Sequence, residues 1–212
     1  MLVPSLGAER ALWEQGLLRI AGVDEAGLGS LCGPVIAAAV VIPPRCQPIA
    51  EVRDSKTLSP AQRERLYVEI VRQAVAVEVG AGAVREIERL NVLRAAHLAM
   101  RRALTRVCPY DHALIDGRRI VDVDLGPHST IVDGDASSYA IACASIVAKV
   151  TRDRLMARLG ARYPAYGWGR NAGYGTTDHL AALRRFGITA YHRRGYAPIR
   201  ELLVAADVTD AG

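Results

Sequence analysis

The chain has 212 residues, half of them hydrophobic, with 27 basic and 22 acidic side chains. That composition excludes a disordered chain and is enough to build a sizeable core. It also excludes a membrane span: the longest uncharged apolar run, 26–44, holds three Gly and three Pro and reads as a loop entering a strand. The charge is unevenly placed. Residues 1–150 carry 17 basic and 17 acidic groups, whereas 151–200 carry 10 Arg against Asp153 and Asp178. A neutral body joined to a basic segment suits a polyanionic partner, and equally a solvated arginine surface.

The first twenty residues carry Glu9, Arg10 and Glu14 and lack the pattern of an export signal. Cys32, Cys46, Cys108 and Cys143 form no C-x-x-C pair. Free thiols in a reducing, cytoplasmic setting are therefore expected, and a structural zinc site is not.

In chain order, 19–24 reads as a strand ending in carboxylates, followed by a glycine-punctuated loop at 26–34. Residues 35–42 are continuously apolar, as in a buried strand. Ser59-Pro60 is a helix start, and the helix is predicted to run to Gln73. Residues 75–80 read as a strand and 91–106 as an amphipathic helix. Short strands are predicted at 113–116 and 130–132, a long small-residue helix at 137–159, and a capped helix at 177–186. Residues 160–175 and 187–200 look irregular, and the tail 201–212 frayed. Early strands followed by helices among further strands predict an α/β fold with a mixed sheet. We expect a single domain, with a core at 18–160, a basic and aromatic extension at 161–200, and the tail.

Three apolar strands end in acids: Asp24-Glu25, Asp116, and Asp133-Gly134-Asp135. A carboxylate there can enter the crevice where α/β sheets bind ligands, although Asp-Gly is also a common turn. Asp24 and Glu25 can share a site if the strand ends there and the chain bends at Gly27 and Gly29. Clustered carboxylates repel one another unless divalent cations offset the charge, and oxygen donors favour Mg²⁺ or Mn²⁺. On the long helix, Ser138, Ser145, Lys149 and Arg152 form one polar stripe that could face phosphates or solvent. Only Lys56 and Lys149 are lysines. Between Tyr163 and Tyr196, five Tyr, Trp168 and Phe186 are mixed with arginines, a composition suited to gripping nucleic acid.

The blocks AGVDEAGLGSLCGPVIAAAV (21–40), DSKTLS (54–59), LIDG (114–117), DGDASSYAIACASIVAKVTRD (133–153), YPAYGWGRNAGYGTTDHLAALRRFG (163–187) and HRRGYAP (192–198) resemble ribonuclease HII, in that family's order. The resemblance implies a ribonuclease H-like mixed sheet flanked by helices, with a C-terminal helical extension. It implies an endonuclease cutting the RNA strand of RNA–DNA hybrids and cutting at ribonucleotides embedded in DNA, leaving a 5′-phosphate and a 3′-hydroxyl. Primer removal and ribonucleotide excision would be its roles, and a monomer is expected. Asp24, Glu25, Asp116 and Asp135 would be the catalytic acids and would hold two Mn²⁺ or Mg²⁺ ions. Gly27, Leu28 and Gly29 would read the sugar through the backbone, where a 2′-hydroxyl separates RNA from DNA. Tyr174 would stack on that sugar. Lys56, Ser145, Lys149, Arg193 and Arg194 would contact substrate. The sequence departs from the family's habit at Leu28 (usually Arg), Ser30, Cys32, Asp133, Ala172 and Gly195. A DNA-junction nuclease on the same fold and a catalytically silent hybrid-binding module remain the alternatives at this point.

Overall fold

The computed structural model describes residues 3–118, 120 and 123–209. Its centre is a five-stranded sheet of β1 (Ile20–Ala26), β2 (Val35–Ile42), β3 (Ala76–Gly82), β4 (His112–Asp116) and β5 (His128–Ile131), in the order β3-β2-β1-β4-β5. The β1–β2 and β2–β3 pairs are antiparallel; β1–β4 and β4–β5 are parallel. The mixed sheet expected from the sequence is therefore present.

Both faces of the sheet are covered, which is why β2 reads as eight consecutive buried apolar residues. On one face lies α4 (Val92–Val107), whose Ala99, Met100, Ala103 and Leu104 meet Val23, Ala37 and Ala39. On the other lies α6 (Tyr139–Arg162), built from small residues along its first half. Its closeness has a specific cause at Gly22. A Cβ there would lie 2.1 Å from the carbonyl carbon of Ala140, so only glycine admits the helix against β1.

Helix α2 (Pro60–Gln73) starts as the sequence predicts. The Ser59 hydroxyl accepts from the Gln62 N–H, and the Gln62 side chain accepts from the Ser59 N–H. Several helices were not foreseen, two of them before α4. In α1 (Gly7–Trp13), Glu9 is fully buried and accepts from the Ser138 hydroxyl and the Ala140 N–H, a carboxylate seated on the N-terminus of α6. The other is α3 (Val84–Leu90).

Several boundaries are corrected. Strand β1 continues through Glu25 to Ala26, paired with β2 throughout, so it does not end at Asp24. Strand β5 closes at Ile131, and Val132 is exposed. A one-turn helix α5 (Gly134–Ser137) precedes α6, which runs on to Arg162. The segment 160–175 contains a 3₁₀ turn (Pro164–Tyr166) and α7 (Trp168–Asn171). After α8 (Thr177–Phe186), α9 (Ala197–Thr209) occupies much of what reads as irregular chain and tail. The helices after α6 pack around Trp168, which is fully buried with its ring centroid 5.1 Å from that of Tyr166 and 5.4 Å from that of His192.

Candidate active site

The sheet opens a crevice beside β1. Pairing between the parallel strands β1 and β4 ends at Val23↔Ile115. The next residues on the two strands are Asp24 and Asp116, so they stand side by side where the strands part. Glu25 follows on β1, still held by β2 through its pairing with Ala37. The parting of β1 from β4, rather than a bend after Asp24, lets consecutive acids that point to opposite faces of the strand reach one cleft. That cleft has a volume of about 540 Å³, and Asp24, Glu25 and Asp116 all line it.

Asp135 arrives from α5. It is buried but does not line the cleft directly; the Lys56 ammonium, 3.5 Å from its Oδ2, connects it to the lining. Asp116 is oriented by the turn that delivers Asp135, its Oδ1 accepting the Gly134 N–H at 2.7 Å. A Cβ on Gly134 would meet the Ile141 side chain at 2.6 Å, so glycine lets this turn approach both α6 and β4. Asp133 begins the turn in the left-handed region (φ 51°), with its side chain exposed.

The electrostatics are those of buried, mutually repelling carboxyls with Lys56 as a partial counter-charge. Burial, then Glu25 and Asp116, push the Asp24 carboxyl well above its ordinary range; the Ser145 hydroxyl and the Glu25 N–H work the other way. Burial, then Asp116, push Glu25 up to about 7 against the pull of Lys56. Burial also raises Asp135, again opposed by Lys56. Oxygen donors whose mutual repulsion is unrelieved are chemically suited to hard divalent cations. They are not drawn in around one ion. Among the described residues, the group of three or more metal-capable side chains with ligand atoms all within 4.8 Å is Cys32, His179 and His192.

The histidine–cysteine group is explained without a metal. The Thr189 N–H donates to His192 Nδ1 at 2.8 Å, which leaves the ring proton on Nε2, facing His179 at 3.2 Å. His179 Nδ1 lies 2.9 Å from the Tyr174 carbonyl and donates to it, so its Nε2 accepts from Trp168 Nε1 at 3.0 Å and from His192. No imidazole lone pair remains for a cation. Burial pushes the Cys32 thiol up to about 12, so it stays protonated. The free, unpaired cysteines match expectation.

Among the expected substrate contacts, Gly27, Leu28, Gly29, Lys56, Ser145, Lys149 and Tyr174 line the same cleft as the acids. Ser145 is buried and its hydroxyl lies 2.9 Å from that of Ser55. Lys149 is steered by Asp153 at 2.6 Å, with its ammonium 5.8 Å from the Tyr174 ring centroid. The polar stripe divides: Ser138 caps α6 and Arg152 is fully buried, so only its middle faces the cleft. Arg193 is not among the lining residues of that cleft: it is buried, with Nε and Nη1 on the Gly33 and Leu28 carbonyls. Arg194 is exposed but lines a separate hollow beside Glu88 and Asn91. Sequence reading missed Arg63, which lines the cleft and donates to the Ser55 and Leu58 carbonyls, fixing the segment that carries Lys56. Its place four residues into a capped helix offers no signal of that inward turn.

A mixed five-stranded sheet flanked by helices thus carries acids where two parallel strands part. Residues 21–198 match the ribonuclease HII family. A ribonuclease HII from Thermosynechococcus vestitus is 54% identical over 192 residues, covering 91% of this chain and 90% of the relative. The structure of a PCNA:RNase HII complex from Archaeoglobus fulgidus superposes with a TM-score of 0.71 at 23% identity, covering 85% of this chain and 96% of that one. Bst-RNase HIII in complex with Mn²⁺ gives 0.67 at 18% identity, covering 93% and 73%. The chain belongs to the ribonuclease HII family. It is accordingly a ribonuclease H, an endonuclease acting on nucleic acid. No helix among the described residues is long and apolar enough to cross a membrane.

Proposed function

We propose that this chain hydrolyses the RNA strand of RNA–DNA hybrids, and cuts at ribonucleotides embedded in duplex DNA, using two divalent cations held by Asp24, Glu25, Asp116 and Asp135. The observation that carries the proposal is the convergence of Asp24, Glu25 and Asp116 on one cleft shared with the glycine loop and Tyr174. Burial, and then repulsion among the acids, raises the carboxyl pKa values of Asp24, Glu25 and Asp135, and bound cations would offset the cost of ionising them. Mn²⁺ or Mg²⁺ would serve, and the Mn²⁺ complex of the related RNase HIII favours that chemistry. When bound, such ions supply an activated water and charge stabilisation on the leaving oxygen, giving a 5′-phosphate and a 3′-hydroxyl.

The chain's own groups do the rest. Asp24 and Asp116 face each other across the parting of the strands, and Gly134 fixes the angle of Asp116 through its N–H. Lys56, braced by Asp54 and Asp135, holds positive charge at the cleft mouth, where a phosphate would sit. Lys149 plays the same part from α6. The backbone of Gly27–Gly29 meets the ribose, and Tyr174 packs against the sugar beside it. Leu28 brings no charge to the phosphate, so binding rests on the backbone and the two lysines. We further propose that the protein acts as a monomer in the cytoplasm, in primer removal and ribonucleotide excision; the free cysteines favour a reducing compartment.

The test offers the protein a continuous hybrid, a duplex with one embedded ribonucleotide, an RNA–DNA junction and an all-DNA duplex, each with Mn²⁺, Mg²⁺ or EDTA. Metal-dependent cuts that need a 2′-hydroxyl are expected, with loss of at least two orders of magnitude in Asp24→Asn. Cutting of the all-DNA duplex, or full activity in Asp24→Asn, would discard the reading.

A further inference from the structure

Beneath the glycine loop lie two buried guanidinium groups without a carboxylate partner. Arg152 from α6 and Arg193 from the segment before α9 are both fully buried. Among the described residues, neither has an acid within 4.0 Å. Both instead donate to backbone carbonyls of the stretch 28–34, and Arg152 to that of Ala172 as well. Arg193 Nε reaches the Gly33 carbonyl and its Nη1 the Leu28 carbonyl, each at 2.9 Å. Arg152 reaches Pro34 and Cys32 at 3.1 Å and Ala172 at 2.9 Å. Burying a cation costs free energy unless hydrogen bonds offset it. Here the offset comes from peptide carbonyls, with the Tyr196 hydroxyl also accepting from Arg193.

These carbonyl contacts have a consequence for the cleft. The C=O and N–H of one trans peptide point opposite ways. Seating the Leu28 carbonyl on Arg193 therefore turns the Gly29 N–H away from the protein interior. Gly29 is exposed, lines the cleft, and its N–H finds no acceptor among the described residues. The Tyr196 hydroxyl reinforces the arrangement by donating to the same Leu28 carbonyl and accepting from Arg193. The other end of the loop is fixed by Arg152, which packs under Gly27 so tightly that a Cβ there would lie 2.0 Å from its Nε. Arg152 also sits 5.6 Å from the Tyr174 ring centroid.

We propose that Arg193 is a positioning residue for ribose recognition: through the Leu28 carbonyl, and helped by Tyr196, it aims the Gly29 N–H at the sugar hydroxyl that marks RNA. Arg152 anchors the far side of the same loop. The inference rests on the reading that the glycine loop meets the ribose, and it locates the origin of that contact in a side chain that never touches substrate.

The experiment compares the native chain with Arg193→Lys, which keeps the charge but loses the planar fork. Affinity for a duplex with one ribonucleotide and for the matching all-DNA duplex is measured in EDTA by fluorescence anisotropy, and kcat and KM are measured separately with Mn²⁺. In the variant the affinity ratio should fall toward one and KM should rise by on the order of tenfold, as loss of a charged hydrogen bond would give, with kcat nearly unchanged. A role confined to folding would lower the melting temperature and leave the ratio alone. A folded Arg193→Lys that keeps the native ratio overturns the inference while leaving the nuclease reading intact. A native chain with a ratio of one removes the ribose reading and this inference with it. If Arg193→Lys does not fold, Tyr196→Phe decides: it removes one donor to the Leu28 carbonyl and should lower the ratio in the same sense, and an unchanged ratio refutes the proposal.

Discussion

Replacing Glu25 by Gln should stabilise the metal-free chain at alkaline pH. The Glu25 carboxyl rises from 4.5 to about 7, first because it is buried and next because Asp116 repels it. In the unfolded chain the same group titrates near its ordinary value. Between these limits the folded state holds the proton more tightly, so stability falls as pH rises through the window from 4.5 to 7. At about 1.36 kcal/mol for each pH unit, the full penalty is about 3 kcal/mol at pH 8, but under about 1 kcal/mol at pH 5. Glutamine keeps the shape and removes the ion. Thermal melts in EDTA should place Glu25→Gln about 6–12 °C above the native chain at pH 8, scaling from about 2–4 °C for each kcal/mol in a chain of this size. The two should nearly coincide at pH 5. Adding Mn²⁺ should raise the native melting temperature more than that of the variant, because the ion binds the folded acids and not the unfolded chain. Equal gains at the two pH values, or none at pH 8, would show that the acids do not strain the fold by their charge.

Gly22→Ala would place a methyl 2.1 Å from the Ala140 carbonyl carbon; a loss of about 1–3 kcal/mol or more is expected in urea melts, with activity falling as α6 shifts Ser145 and Lys149. Leu28→Arg should lower KM and steepen the dependence of log affinity on log salt by about 1, measured by anisotropy at several salt concentrations, because it adds one phosphate contact. Burial and His179 lower His192 to about 4, and burial lowers His179 too. Both rings therefore take up protons more readily in the unfolded chain. On acidification from about 6.5 to 4 His192 alone should cost about 3 kcal/mol, read as the pH-dependent stability difference between the native chain and His192→Gln.

The acids were legible in the sequence because each stands at the end of a recognisable apolar strand or in a Gly-flanked turn. What brings them together was not. Nothing in residues 19–26 says that β1 continues three residues past its pairing with β4, yet that mismatch lets Asp24 and Glu25 share a cleft. The helix carrying Ser145 was foreseen from its small residues, but the stripe along it misled: Ser138 and Arg152 share its spacing and are consumed by a cap and by backbone carbonyls. Helix α1 escaped notice because it is only seven residues long and owes its place to Glu9 on α6, a contact 129 residues away in sequence. Arg193 was expected at the substrate through the HRRGYAP resemblance, and nothing in that block signals that its side chain is buried. Its burial depends on unpaired carbonyls that exist only once the loop 28–34 has folded.

The same carbonyls explain why Leu28 is tolerable at a position that meets substrate. Leu28 packs its side chain against the cluster of Val35, Ile87, Ala95 and Ala96 while its carbonyl is held by Arg193 and Tyr196. The donor exposed on that peptide belongs to Gly29, and its direction follows from the carbonyl, not from the side chain at 28. A residue there can thus gain or lose charge and alter phosphate affinity without changing which way the N–H points. On the proposed reading, affinity and discrimination of the ribose are separable. Leu28→Arg should change salt dependence and leave the preference for a 2′-hydroxyl untouched, whereas Arg193→Lys should do the reverse. If both substitutions moved both quantities together, the loop would be acting as one surface, and the division between side-chain and backbone recognition would fail.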